Sequence, residues 1–442
     1  MGVQIDFSHV CMHPDKIESG LSRLGRRHEE LKSAMSGAAA MQGDLFSALP
    51  AAHEFSDSAL SFASRHADKD TIVVAGIGGS NLGAKAIIRS LTGKYGNLTS
   101  DKQVLFAESC DPESLRAILS VVESRVREGK KVMVLGISKS GKTTETVANF
   151  EILHETLLSA GADVKDSMAI ITDQGSPFER VAAEFGIEAI HSPHEIGGRY
   201  SVFTTVGLVP LALVGADVKS VLAGARKANS ACLECDVSES PAAKSASILY
   251  GHYMSGRQVF DQFIFSPEME ALGKWYRQLL AESSGKEWNI DESARVNTGI
   301  LPTVSIGTTD LHSVAQLYLA GSRNIYFRLV SYDPAGRHIQ VPQMPQYDSL
   351  VNHIQGKDTQ EILDAILGGV KGTFSDLSIP FMDVRLKSKS TSSLGYIMQF
   401  EMIEVVLLCH LLGVNPYDQP NVELYKSATR NILSGKMPGQ QA

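Results

Sequence analysis

Short apolar runs punctuate the chain from Thr71 onward, each followed by a stretch with helical spacing. TIVVAGIG, QVLFAES, KVMVLGIS and SMAIITD are of strand length. Continuous apolar runs of this kind suit parallel strands covered on both faces, joined by right-handed helical crossovers. A doubly wound α/β unit is therefore expected over residues 51–228. A second set, RQVFDQFIF, LPTVSIG, NIYFRLVSYD and LSIPFMDVRL, alternates with helical stretches such as EALGKWYRQLLAE and QFEMIEVVLLCHLLG, predicting a second α/β sheet over 229–442. Pro210 and the tract NSACLECDVSESPAAKS form the expected seam. Before Thr71, HPDKIESGLSRLGRRHEELKSAM mixes charged and apolar positions, so residues 1–50 are expected to be helices lying on the body. Arg23, Arg26, Arg27 and His28 would then occupy a solvated face. The most apolar windows, 201–214 and 400–414, contain Pro210 and Glu404 and are too short for a membrane span, so they predict core helices.

Composition narrows the function classes. At 442 residues with 43% hydrophobic and 20% charged positions, the chain has a globular rather than a disordered composition. A net charge of −8 speaks against a nucleic-acid binder, so any anionic ligand must be caught locally. Five cysteines are an odd and sparse set, which suits a reducing, cytoplasmic setting. Cys232 and Cys235 have C-x-x-C spacing without a second pair at zinc-site distance, and are expected to be reduced surface thiols. The N-terminus lacks the basic start and apolar run of a secretory signal, and Asp6 spoils a myristoylation pattern, so export is not expected.

Two glycine-rich loops carry the chemistry. AGIGGSNLGAKAI follows the run TIVVAG and opens a helix, with Gly76, Gly78, Gly79 and Gly83 allowing close approach of a ligand and Ser80 offering a hydroxyl. Its spacing departs from the dinucleotide fingerprint. GISKSGKT, residues 136–143, satisfies the pattern of a nucleotide phosphate loop, and Asp173 falls where a magnesium-binding acid could lie. Backbone N–H groups and a helix N-terminus suit one phosphate as well as three. Both loops are expected at carboxyl ends of strands in one sheet, where they could share a single phosphate.

AGIGGSNLG, GISKSGKTTET, IGGRYSVFTTVGLVPLAL, QLLAESSGKE, GTTDLHSVAQLYLAG and NPYDQPNVELYK resemble, in this order, segments of the glucose-6-phosphate isomerase family, particularly its shorter bacterial form. The resemblance runs from about residue 70 to 430. It implies two sugar-isomerase (SIS-type) domains with peripheral helices, and interconversion of glucose 6-phosphate and fructose 6-phosphate without metal or other cofactor. It also implies a homodimer, with no nucleic-acid or membrane partner.

The resemblance assigns roles residue by residue. Glu282 matches the base that moves a proton between carbons 2 and 1 through a cis-enediol, a task suited to a carboxylate. Glu282 closes a helical run just before Ser283-Ser284-Gly285, where the negative helix end and partial burial would raise its pKa. Gln278, four residues earlier on the same face, matches a substrate-binding glutamine. Arg199 matches the arginine that stabilises the enediolate. His312 is expected in the first turn of a helix beginning near Asp310, opening the sugar ring in the partner subunit's site. Lys426 assists that ring chemistry, and Gln419 contacts substrate. Gly79, Ser80, Ser138, Lys139, Ser140 and Thr143 match the phosphate contacts. Two departures stand out: Lys142 replaces a usual threonine, which alone completes the nucleotide-like pattern, and Asn421 replaces a usual glycine.

Other readings carry less of the sequence. A phosphate-loop ATPase or kinase leaves the downstream segments unexplained, and a silent sugar-phosphate sensor should lack Glu282, His312 and Lys426 together. His191, His194 and Glu195 have possible metal spacing, but Pro193 prevents a regular helix from presenting both imidazoles. Substrate breadth, including mannose 6-phosphate, depends on the shape of the site.

Overall fold

The structure, a computed structural model, describes residues 2–435 except 335, 337 and 338. The chain opens on strand β1 (Val3–Asp6). Five parallel strands follow: β2 (Thr71–Ala75), β3 (Gln103–Ala107), β4 (Val132–Ile137), β5 (Met168–Thr172) and β6 (Glu188–His191). They form a sheet in the order β3-β2-β4-β5-β6. β2, β4 and β5 are buried throughout, which is why their sequences are continuous apolar runs. Val73, Val134 and Ile170 face the helices Pro112–Arg127 and Thr144–Ser159, while Ile72, Leu135 and Ile171 face a larger core shared with the second sheet. β6 gives no such signal in the sequence: it is an edge strand, and only Ile190 is buried.

The second sheet has the order β1-β12-β11-β7-β10, with β7 (Val259–Ile264), β10 (Leu301–Ile306), β11 (Ile325–Tyr332) and β12 (Phe381–Leu386) mutually parallel. β8 (Lys286–Trp288) and β9 (Arg295–Thr298) form a separate antiparallel pair. The two sheets and their covering helices bear out the expected α/β class. The N-terminal region differs from its sequence reading, because β1 adds an antiparallel edge to β12, with Val3 opposite Leu386. The helix Pro14–Ala34 then buries Arg27 and His28 at 4% and 1% exposure. The solvated-face reading fails for both, since Arg27 meets Asp44 and His28 Nε2 lies 2.8 Å from the carbonyl of Cys232.

Pro210 lies inside the helix Thr205–Leu213, and residue 229 inside the helix Val218–Leu233. Cys232 is fully buried, contrary to the surface-thiol reading, and burial pushes its thiol pKa up. The apolar window near 400 belongs to a 22-residue helix, Thr391–Leu412, longer than its pattern suggested. By length and composition it could cross a membrane, but 94% of its most apolar window is buried within the protein. A helix buried on every side is a core helix here. Its interior face carries Glu401 and Glu404, which meet the buried guanidinium of Arg328 from β11.

Candidate active site

Adjacent strands deliver the two glycine-rich loops to one edge. Ala75 at the end of β2 pairs with Gly136 near the end of β4, so both loops leave the carboxyl edge side by side. A Cβ placed at Gly76 would lie 3.2 Å from the carbonyl oxygen of Ile137. Gly78 has φ +58, a left-handed conformation that glycine adopts without strain. Gly79 lies against another chain segment, where an added Cβ would stand 2.2 Å from the carbonyl carbon of Gly198 and 2.7 Å from the nitrogen of Arg199. Only a residue without a side chain permits that approach. Ser80 is half-buried at the end of the same turn.

The second loop lies across the amino end of the helix Thr144–Ser159. Ser138 is fully buried, and its Oγ lies 3.0 Å from Thr143 Oγ1. Ser140 and Lys142 are exposed, and the Lys142 N–H donates to Ser140 Oγ at 3.3 Å. The Lys139 ammonium donates to the carbonyl of His194, and burial lowers its pKa. His194 Nδ1 is 2.7 Å from Asp173 Oδ2, and His191 Nε2 is 2.7 Å from Glu179 Oε1. The two imidazoles thus turn to different carboxylates rather than to a common centre.

Arg199 is the hub. At 2% exposure, its Nε donates to Ser283 Oγ at 2.9 Å, and one terminal nitrogen reaches Glu282 Oε2 at 3.3 Å and the Gln419 side-chain oxygen. Its other terminal nitrogen donates to the carbonyl of Pro416 at 2.5 Å and to that of Asp418 at 3.0 Å. A guanidinium fixed at every donor is held in one orientation. Glu282 keeps a third of its side chain exposed, and its Oε1 accepts from Gln278 Nε2 at 3.0 Å. The four-residue spacing therefore places both side chains together, as the helical pattern required. The helix Glu270–Ser284 ends at Gly285, as expected. Gln278 also closes on the first loop: a Cβ at Gly78 would come within 2.9 Å of Gln278 Nε2. Its Oε1 is buried without a protein partner, an acceptor available to a ligand hydroxyl.

Gly79, Arg199, Gln278, Glu282 and Gln419 thus converge, with Ser138, Lys139, Ser140 and Thr143 on the neighbouring turn. His312 and Lys426 have no hydrogen bond to this group among the described residues. The expected helix start at Asp310 is not formed, because its carboxylate folds back to accept from the Ile306 N–H at 2.7 Å and Ser313 Oγ at 2.9 Å. His312 instead closes the tight turn Thr309–His312, exposed, and the α-helix starts only at Ala315. No helix dipole acts there as the sequence reading assumed. Lys426 lies on the helix Val422–Leu433, which has no buried residue, and donates to Glu423 Oε1 at 2.8 Å. Asn421 takes an ordinary φ of −66 and its amide reaches Glu287 Oε2 at 2.9 Å, so the turn does not need glycine.

Sequence reasoning passed over Lys286, Ser283 and Tyr200. Lys286 is buried, donates to the carbonyls of Glu282 and Asp418, and has its pKa lowered first by burial and then by Arg199. Its only signal was its place in ESSGKE. Tyr200 OH is 3.0 Å from Ser283 Oγ, completing the wall behind Arg199.

The family described as phosphoglucose isomerase matches residues 63–441. A glucose-6-phosphate isomerase of Rubrobacter xylanophilus is 33% identical, with 94% of this chain and 95% of that protein covered. One from Streptococcus thermophilus is also 33% identical, covering 81% of this chain and 79% of its own. Among solved structures, a hypothetical protein of Thermus thermophilus superposes with a TM-score of 0.85 at 27% identity, over 98% of this chain and 99% of that one. A glucose-6-phosphate isomerase of Chlamydia trachomatis shares the fold, with a TM-score of 0.82 at 20% identity over 99% and 90% of the two chains.

Proposed function

The chain belongs to the phosphoglucose isomerase family and interconverts glucose 6-phosphate and fructose 6-phosphate, and we propose that Glu282 is the base of that reaction. Its carboxylate takes a proton from carbon 2 of the open-chain sugar and returns it to carbon 1. Arg199, already bonded to Glu282, faces the developing enediolate charge from a fixed position. Gln278 and Gln419 orient the sugar hydroxyls. Gly79, Ser80, Ser138, Lys139, Ser140 and Thr143 hold the phosphate at the helix N-terminus. The first α/β unit thus anchors the substrate and the second supplies the base.

Ring opening falls to His312 and Lys426. His312 is exposed on the turn after edge strand β10, a place suited to serving a second copy of the chain, so the working form is a homodimer with shared sites. The reaction needs neither metal nor redox cofactor, since the carbonyl moves by proton transfer alone. Its setting is glycolysis and gluconeogenesis in the cytoplasm, with a sugar phosphate as the partner rather than nucleic acid or membrane.

The observation that carries this reading is the convergence of Glu282, Arg199 and Gln278 beside Gly78 and Gly79. A coupled assay of fructose 6-phosphate conversion tests it. Glu282→Gln keeps the shape and removes the base, so kcat should fall by about 10²–10⁴. Comparable turnover by the folded variant would remove Glu282 from the role.

A further inference from the structure

The loop that holds Arg199 is itself held from a distant part of the chain. Carbonyls of Pro416 and Asp418 accept from the Arg199 guanidinium, and Gln419 follows directly. Tyr417 stands between those two carbonyls, so its side-chain position sets where both oxygens lie. That side chain points away from the site. Its hydroxyl donates to Asp44 Oδ1 in the N-terminal region.

Asp44 is fully buried and would be an unpaired charge without Arg27. Arg27 binds both carboxylate oxygens, one at 2.9 Å, in the two-pronged geometry that fixes direction as well as charge. Arg27 also reaches Tyr417 OH at 3.4 Å, and the Met41 N–H donates to Asp44 Oδ2 at 3.0 Å. The ring of Tyr417 is closely packed. A Cβ at Gly43 would lie 2.4 Å from two of its carbon atoms, and Tyr200 packs against it at 5.3 Å between ring centroids. Tyr200 is the residue next to Arg199.

We propose that Tyr417 and Asp44 are positioning residues for the isomerisation: the Arg27–Asp44 pair pins the Tyr417 hydroxyl, which holds the 416–419 carbonyls and Gln419 in register with Arg199 and Glu282. The inference rests on the site assigned above. Because the enediolate charge exists only near the transition state, a shift of the Arg199 guanidinium acts on kcat rather than on phosphate binding, which falls to the turns after β2 and β4. Tyr417→Phe is the direct test. It keeps the ring against Gly43 and Tyr200 and removes the hydroxyl with its bonds to Asp44 and Arg27. Asp44→Asn, which keeps an acceptor for the hydroxyl but weakens the hold of Arg27, is the second variant.

The measurement is kcat and KM for fructose 6-phosphate, with the folded fraction followed by circular dichroism at the assay temperature. Tyr417→Phe should lower kcat about tenfold per folded molecule, with KM within about twofold, as expected for a modest misplacement of reacting groups. Asp44→Asn should act in the same direction, and the double variant should lose no more than the worse single one, since both cut one chain of contacts. Unchanged kcat, a loss only in proportion to unfolding, a rise confined to KM, or additive losses would overturn the proposal. Wild-type protein without isomerase activity would instead refute the site assignment itself.

Discussion

Gly79→Ala adds one methyl at the closest backbone approach in the site. The new carbon would stand 2.2 Å from the Gly198 carbonyl carbon, 2.4 Å from its oxygen and 2.7 Å from the Arg199 nitrogen. All three are main-chain atoms, so no rotamer change relieves the contact. Carbon atoms in contact sit about 3.5–4.0 Å apart, so the two segments must separate by roughly 1 Å or more. Those segments are the Gly78–Ser80 turn, to which we assign the phosphate, and the peptide of Arg199, whose guanidinium is bonded to Glu282. A displacement of about 1 Å between reacting groups costs on the order of 10² in rate. The overpacking itself costs about 1–3 kcal/mol of stability, which a thermal melt reads separately. The expected result is a hundredfold loss of kcat/KM for fructose 6-phosphate in a protein still folded at 25 °C. Gly197→Ala is the matched control: its Cβ would meet only the Tyr417 carbonyl at 3.9 Å, and its φ of −66 suits any residue. Gly79→Ala activity within threefold of wild type, or equal damage from Gly197→Ala, would refute the contact as the link between the two halves of the site.

Stability and its pH dependence give further checks. Arg328→Met removes the buried guanidinium that Glu401 and Glu404 both meet and should cost about 3–5 kcal/mol, read from urea unfolding. Burial raises the Glu401 pKa to about 8 despite Arg328, so the native state holds a proton that the unfolded chain releases above 4.5. That contribution is complete below pH 4.5 and lost as pH rises through 8, so Glu401→Gln should gain on wild type in urea midpoint between pH 6 and pH 9. An equal difference at both pH values would contradict it. His252 is pushed the other way, to about 4, by burial and then by Arg257. Its contribution is present above pH 6.5 and lost as pH falls through 4, amounting to roughly 3 kcal/mol. His252→Gln should flatten the acid limb of the Tm–pH curve, and an unchanged limb would rule this out.

Local pattern was enough wherever the governing contacts are local or shared along an element. Parallel strands buried on both faces produce runs such as TIVVA and VMVLGI, and a helical spacing of four puts Gln278 beside Glu282. Glycines marked both turns because close backbone approach excludes a Cβ. The same local reasoning failed at the N-terminal helix, where Arg27 and His28 look like any solvated charges until Asp44 and the Cys232 carbonyl close over them. It failed at His312, because the Asp310 carboxylate satisfies the preceding N–H instead of starting a helix. The motif resemblance named Arg199, but not what holds it. Its partners at Ser283, Pro416 and Asp418 lie 84, 217 and 219 residues away in the chain. Periodicity records which side of an element meets apolar neighbours, whereas the orientation of a buried guanidinium is set by carbonyls that only the closed fold brings within reach.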